Sequence, residues 1–357
     1  MATRKYKKRP DGYYATTVWD GTYGKDGRKH RKALYAKTVR ELDAKVRELE
    51  RQVEEGNFVR SDGDDFLSFS ARWLRETKGY REESTRAFYK GIIERHFPRA
   101  GDVKMEDFAF VHVRRILDAL DGHEATQKKV LMTLKQVVKY AVKQKRYRQN
   151  DMEDLFECLP TIRHSPKERR ALTPEEKAAV FKVELGPMDR TFLYLLYGCG
   201  LRREEVLALN TFSFDFKGNV TISRARAILP GGSAYTKDTK TERGNRTVPI
   251  PASIRKTVEG YARECAGDLF PDMERAGFEK MWRRVHRAFK AACPESEGVT
   301  PHIFRHNYCT ELCYQIPKIS VKNVARLLGD TEAMVLNVYS HLDLLREPTE
   351  EVLSAAF

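Results

Sequence analysis

Between residues 66 and 158 the chain carries four helical patterns and no strand pattern, and the stretch that follows, 159–170 (LPTIRHSPKERR), breaks them off. Its two prolines interrupt any helix, and the basic cluster beside them belongs in water. The break reads as an exposed linker and rules out one continuous helical core. At 357 residues the chain is also longer than one ordinary core serves. The expected fold is multidomain and mainly α with small β-sheets, divided at 1–60, 61–160 and 165–357.

Upstream of the helical region the hydrophobic period changes. YYATTVW at 13–19 is rich in aromatic and β-branched residues and reads as a strand; a turn-rich stretch follows at 20–27, and 31–36 reads as the return strand. Thr38 and Glu41 then form a capping-box pattern. Val39, Leu42, Val46, Leu49 and Val53 make one apolar stripe at helical spacing, and Gly56 ends it. The first forty residues of this sheet-plus-helix unit hold twelve Lys or Arg against three Asp or Glu. That charge suits either entry into a DNA groove or a solvated basic tail.

The clearest helix of the middle unit spans 124–146. Val130, Leu131, Leu134, Val137, Val138 and Ala141 form its apolar face, and Lys128, Lys135, Lys139, Lys143 and Arg146 form a basic stripe. Such a stripe can track a phosphate backbone, although solvated lysines make the same pattern on ordinary helices. After the linker, Thr173, Pro174 and Glu176 open a helix in the order of cap, first-turn proline and first-turn acid. The third unit is mainly helical, with short strands expected at 219–222, 223–229 and 247–250.

A net charge of +14 favours polyanionic partners, with nucleic acid ahead of an anionic membrane. No run approaches the ~18 apolar residues of a membrane span, and the N-terminus lacks the apolar stretch of a secretory signal, so a cytoplasmic protein is expected. The six cysteines are expected as free thiols. Cys309 and Cys313, downstream of His302 and His306, fit no common zinc spacing, and helix packing is the preferred reading.

Four short motifs in the third unit carry chemistry. The first is Gly200-Leu201-Arg202-Arg203-Glu204-Glu205, in which a carboxylate three residues on can pin Arg202, with Arg203 as competitor. In the second, Lys240 precedes Gly244-Asn245, a pair that suggests a tight turn between two strands. A lysine on such a hairpin can swing toward a ligand and give up a proton, and Lys237 competes for the role. The third motif, Pro301-His302-Ile303-Phe304-Arg305-His306, places His302 and Arg305 on one helical face. Arg supplies a planar fork for two phosphate oxygens, and imidazole exchanges protons near neutral pH. The fourth is Leu327-Leu328-Gly329-Asp330 followed by Val338-Tyr339-Ser340-His341. A phenol with a pKa of about 10 attacks well only where cations stabilise the phenolate.

Taken in that order, Gly-Leu-Arg-x-x-Glu, a hairpin Lys, His-x-x-Arg-His, Leu-Gly-x and Tyr-x-His resemble the tyrosine recombinase (phage integrase) family. The motifs run through residues 173–341, and the two upstream units resemble the arm-binding and core-binding domains of integrases from phages and conjugative transposons. The resemblance implies an α+β catalytic domain that cuts and rejoins DNA by transesterification, with no metal and no cofactor. By the same resemblance Arg202 and Arg305 clamp the scissile phosphate and Glu205 supports Arg202. Lys240 protonates the leaving 5′-oxygen, His302 exchanges a proton with the nucleophile, and Tyr339 is that nucleophile. The partners implied are double-stranded DNA at core and arm-type sites, further copies of the chain in a tetramer with exchanged C-terminal tails, and accessory DNA-bending or excision factors.

One position departs from the pattern. Asp330, nine residues before Tyr339, stands where the family usually has His or Trp. A carboxylate there opposes an anionic phosphate unless it pairs with a cation or orients a neighbour such as His302. Two other readings stay open. One is an inactive DNA-binding regulator on the same scaffold, and the other is a type IB topoisomerase, which the basic unit at 1–60 disfavours. Residues 349–357 (TEEVLSAAF) read as a short apolar helix that docks on its own domain or on a neighbouring subunit.

Overall fold

The computed structural model describes residues 6–23, 27–59, 64–163, 170–239, 244–271 and 273–343. The chain divides into two compact units, 1–166 and 167–357.

The first unit opens with an antiparallel sheet of β1 (Lys7–Lys8), β2 (Tyr14–Tyr23) and β3 (Lys29–Ala36), in that order. The expected turn at 20–27 begins later than its composition suggests, because β2 continues through a register shift between Trp19 and Tyr23. Gly21 accommodates the irregularity at φ +82°, and Asp20 accepts from both the Thr22 N–H (3.0 Å) and its hydroxyl (2.6 Å). Helix α1 (Val39–Glu54) starts as expected, with the Thr38 hydroxyl accepting from the Glu41 N–H at 3.2 Å. Leu42 and Leu49 bury the middle of its apolar stripe, while Val39 at the first position is exposed.

Five helices follow where four patterns are read: α2 (Phe66–Lys78), α3 (Glu83–His96), α4 (Phe110–Asp118), α5 (Glu124–Lys143) and α6 (Gln149–Cys158). At nine and ten residues, α4 and α6 repeat too few turns for periodicity to separate them from their neighbours. Their shared core is aromatic. Phe66, Phe69, Phe97 and Phe108 are fully buried, and the Phe66 and Phe108 rings stack at 4.1 Å. All six residues of the expected apolar face of α5 are buried. Its basic stripe is shorter than expected. Lys145 adopts a left-handed φ of +56° and the Arg146 N–H closes on the Ala141 carbonyl (2.8 Å), so Arg146 lies beyond the helix end.

The second unit runs α7 (Pro174–Lys182), α8 (Pro187–Cys199), α9 (Arg203–Val206), β4 (Asn219–Ile222), β5 (Arg224–Ile228), β6 (Ala234–Asp238) and β7 (Arg246–Pro249). It continues with α10 (Ala252–Glu264), α11 (Arg275–Ala292), α12 (Pro301–Cys313), α13 (Val321–Leu328) and α14 (Glu332–Asp343). Thr173 and Glu176 close the capping box that their spacing predicts. Helix α8 is the central element, with Phe192, Leu193, Leu195 and Leu196 fully buried and α10, α11 and α12 packed around it. The strands form two separate antiparallel pairs, β4 with β7 and β5 with β6. Gly244-Asn245 is therefore no hairpin turn between paired neighbours. Val220 and Ile222 of β4 need an apolar partner to cover them, and Val248 of β7 supplies it. The missed strand β6 pairs instead across a tight turn at 229–233, where Gly232 takes φ +100°.

Truncating the fully buried Leu134 to Ala is expected to cost about 2–5 kcal/mol, whereas Ala at the exposed Lys128 costs under about 0.5 kcal/mol. Urea unfolding of the two variants measures the difference.

Candidate active site

The site grows from the end of α8. Gly200 caps that helix at φ +62°, and a Cβ placed on it would stand 2.3 Å from the Tyr308 ring, so both backbone and space require glycine. The reversal delivers Arg202 to the start of α9. Its guanidinium splits two ways: Nη1 donates to Glu205 Oε1 (2.8 Å), while Nη2 donates to the Gly329 carbonyl (3.2 Å) and to Asp330 Oδ2 (2.9 Å). Its neighbour Arg203 pairs with Glu204 and lies over the Phe278 ring at 4.8 Å. Of the two arginines, Arg202 is therefore the one that joins Glu205 and Asp330.

Arg305 comes from the first turns of α12. Its Nη1 donates to the Gly200 carbonyl (2.9 Å), and its Nη2 donates to the Leu328 carbonyl (2.8 Å) and to the same Asp330 Oδ2 (3.1 Å). Arg305 is 5% exposed. Burial first, and the neighbouring Arg202 charge second, pull its guanidinium down to about 10, so it stays charged at neutral pH.

A third arginine completes the cluster, and sequence reasoning passed over it. Arg246 of β7 donates to both oxygens of Glu205 (3.1 and 2.8 Å) and, through Nε, to the Leu327 carbonyl (2.8 Å). The signal was present: Arg246 has the strand parity of Val248, so it faces the core opposite Ile222. Glu205 is 3% exposed. Burial on its own raises a carboxyl pKa, but the hydrogen bonds and charge of Arg246, with Arg305 behind, outweigh it and hold Glu205 below its ordinary value.

The three arginines also share the end of α13. Leu327, Leu328 and Gly329 are consecutive, and their carbonyls accept from Arg246, Arg305 and Arg202 respectively. These are groups that a helix C-terminus leaves unpaired, at its negative end. Gly329 makes the arrangement possible by turning the chain at φ +64°. Three guanidiniums against Glu205 and Asp330 leave one positive charge, which a phosphodiester would neutralise.

The other expected residues fall as follows. His302 is exposed on the first turn of α12, the helix that carries Arg305. Tyr339 is half-buried on α14 and packs with Val338 against Cys309, Cys313 and Val324 of α12 and α13. Cys309 and Cys313 belong to that apolar cluster, and no group of metal-binding side chains occurs among the described residues. The cysteines are free, four of them buried, with Cys158 exposed. Lys240 and the C-terminal segment 349–357 lie outside the described residues. In the first unit, Lys128, Lys135, Lys139 and Lys143 are exposed on α5, with Lys135 and Lys139 over the Phe156 ring at 5.5 and 6.0 Å. No helix among the described residues is long and apolar enough to cross a membrane. A groove of 770 Å³ lined by Leu185, Met188, Ala288 and Ala292 shares no residue with the arginine cluster.

This mainly helical unit thus draws three arginines distant in sequence around the carboxylates of Glu205 and Asp330. Residues 170–346 match the model of the phage integrase family. The chain is 29% identical over 170 residues to tyrosine recombinase XerD of Pseudomonas aeruginosa, covering 44% of this chain and 51% of that protein. It is 23% identical over 381 residues to the XerC-like tyrosine recombinase of Caldanaerobacter subterraneus, covering 94% of each. The chain thus spans about half the length of several relatives, including 48% of XerC of Rhodospirillum centenum. The fold is that of the Tn1549 transposon integrase, solved with transposon right end DNA (TM-score 0.64, 18% identity, 76% of this chain and 94% of that one). It is also that of a lambda integrase tetramer bound to a Holliday junction (TM-score 0.57, 17% identity, 94% of each chain). The chain belongs to the phage integrase family of tyrosine recombinases.

Replacing Glu205 by Gln leaves Arg202 and Arg246 without their shared buried anion and is expected to cost about 3–5 kcal/mol in chemical denaturation. Because the folded pKa of Glu205 lies below its ordinary 4.5, its contribution is fully present above that value and is lost as pH falls through the depressed one. The gap between wild type and variant should therefore hold at neutral pH and close in acid.

Proposed function

We propose that this chain is a site-specific DNA recombinase that integrates or excises a mobile element through a 3′-phosphotyrosine intermediate at Tyr339. The observation that carries this reading is the convergence of Arg202 and Arg305, from separate helices, on one carboxylate oxygen. A non-bridging phosphate oxygen has the charge and the acceptor capacity to take that place. The Tyr339 hydroxyl oxygen attacks the scissile phosphorus, the bond from phosphorus to the 5′-oxygen breaks, and the DNA 3′-phosphate stays on the tyrosine. The phenolic proton passes to His302, and Lys240 protonates the departing 5′-oxygen. Attack by a 5′-hydroxyl reverses the step and reseals a strand, so neither metal nor nucleotide is consumed. Arg202 and Arg305 supply the charge that the pentavalent transition state needs.

In this reading residues 165–357 form the catalytic domain and 61–160 the core-binding domain, with Lys128, Lys135, Lys139 and Lys143 on phosphates and Arg146 close by. Residues 1–60 take arm-type sites. The working form is a tetramer on DNA with exchanged C-terminal tails, aided by accessory bending or excision factors, in the cytoplasm. The DNA-bound integrases with this fold support the reading, as does the exposed basic face of α5. The carboxylate of Asp330 on the arginine pair favours one alternative, an inactive regulator that binds DNA without cutting it.

Nicked duplexes spanning the attachment site should trap an SDS-resistant adduct with wild-type protein and none with Tyr339→Phe. Specific binding by the wild type with no adduct would replace the recombinase reading with the regulator.

A further inference from the structure

Two carboxylates touch Arg202, and they are held very differently. Glu205 is locked in the interior by both of its oxygens. The Asp330 side chain is 28% exposed and sits in the short connection between α13 and α14. Its Oδ1 accepts from the adjacent Thr331 N–H at 3.0 Å, and its Oδ2 accepts one hydrogen bond from the Nη2 of each arginine. The other donations of those Nη2 atoms go to the Gly329 and Leu328 carbonyls, and each Nη1 is engaged by Glu205 or the Gly200 carbonyl. One Nη2 proton of each arginine therefore converges on Asp330 Oδ2. A single anionic oxygen bound by one N–H from each of two guanidiniums has the relation that a phosphate oxygen has to an arginine clamp.

We propose that Asp330 is a built-in occupant of the phosphate seat, which an incoming phosphate must displace from Arg202 and Arg305. The proposal rests on these two arginines being the phosphate clamp of the reading above. Two anions do not share the same two donors without repulsion, so occupancy by one excludes the other. The exposure of Asp330 gives its carboxylate a path to solvent by side-chain rotation, with no movement of the core. Its effect is to lower the affinity of the empty site for phosphates in general. Engagement then depends on the additional contacts that a correctly bound duplex brings. The residue acts as a gate on the clamp and takes no part in bond breaking.

The test measures binding of inorganic phosphate to the full chain by thermal shift, against chloride at equal ionic strength. Wild type, Asp330→Asn and Asp330→Ala are compared, and Asp330→Asn is combined with Arg202→Gln. Loss of the competing charge is expected to tighten phosphate binding by about tenfold or more in both single variants, and the added Arg202→Gln should abolish the gain. Unchanged or weaker binding in both would overturn the proposal and make Asp330 a brace for the arginines. The isosteric Asn keeps the test valid if the Ala variant fails to fold. Because the readout needs neither DNA nor Tyr339, a chain that forms no adduct leaves the result standing. Unmoved phosphate affinity defeats the gate even in an active recombinase.

Discussion

A buried carboxylate is costly unless cations and hydrogen bonds offset its lost hydration, and at Glu205 the offset comes from two arginines at once. One of them, Arg246, belongs to a strand; the other, Arg202, follows the helix reversal at Gly200. Glu205 is therefore the point at which β7 and the α8–α9 turn are tied together. Arg305 adds the tie to α12 through the Gly200 carbonyl. Remove the charge on Glu205 and Arg246 faces a neutral group through both hydrogen bonds, while Arg202 keeps Asp330 as its carboxylate partner. The domain's architecture and the placing of Arg202 and Arg305 thus depend on the same ion cluster.

The physical route from sequence to site was uneven. The contact of Arg202 with Glu205 was legible because their spacing at a helix start puts the two side chains together locally, as was the placing of His302 and Arg305 on one helix. Arg246 was not, since its role depends on a strand pairing between β4 and β7 that no local pattern announces. The same pairing misled the reading of Gly244-Asn245, whose composition suits a hairpin turn although the strands on either side pair elsewhere. Asp330 was recognised as an anion in an unexpected position, and its two arginine partners became evident only with the chain folded. Arg146 shows the opposite error: helical spacing extended past the point where Lys145 turns left-handed and the helix stops. In the first unit β2 and β3 were readable from composition and turn signals and α1 from its cap and apolar stripe, while β1 was too short and too charged to register.

The cluster draws on α9, β7, α12 and α13, which lie far apart in the sequence. Contacts of that kind form only after long loops close, and the entropy of closure is spent before the contacts compensate. The apolar core around α8 is what holds these elements in place, since Phe192, Leu195 and Val248 are removed from water irrespective of the charges nearby. In energetic terms the oily interior provides the scaffold and the ion cluster selects one arrangement upon it.

The end of α13 works as a ruler. The carbonyls of Leu327, Leu328 and the capping Gly329 each receive a different arginine, so the register of the helix end fixes which cation goes where. Each residue of an α-helix turns the chain by about 100°. Inserting or deleting a single residue ahead of Gly329 would carry all three acceptors off their marks together, although every side chain in the cluster remained unchanged. The placing of the three arginines should therefore be more sensitive to a change in the length of α13 than to a change of side chain elsewhere in the turn that follows it.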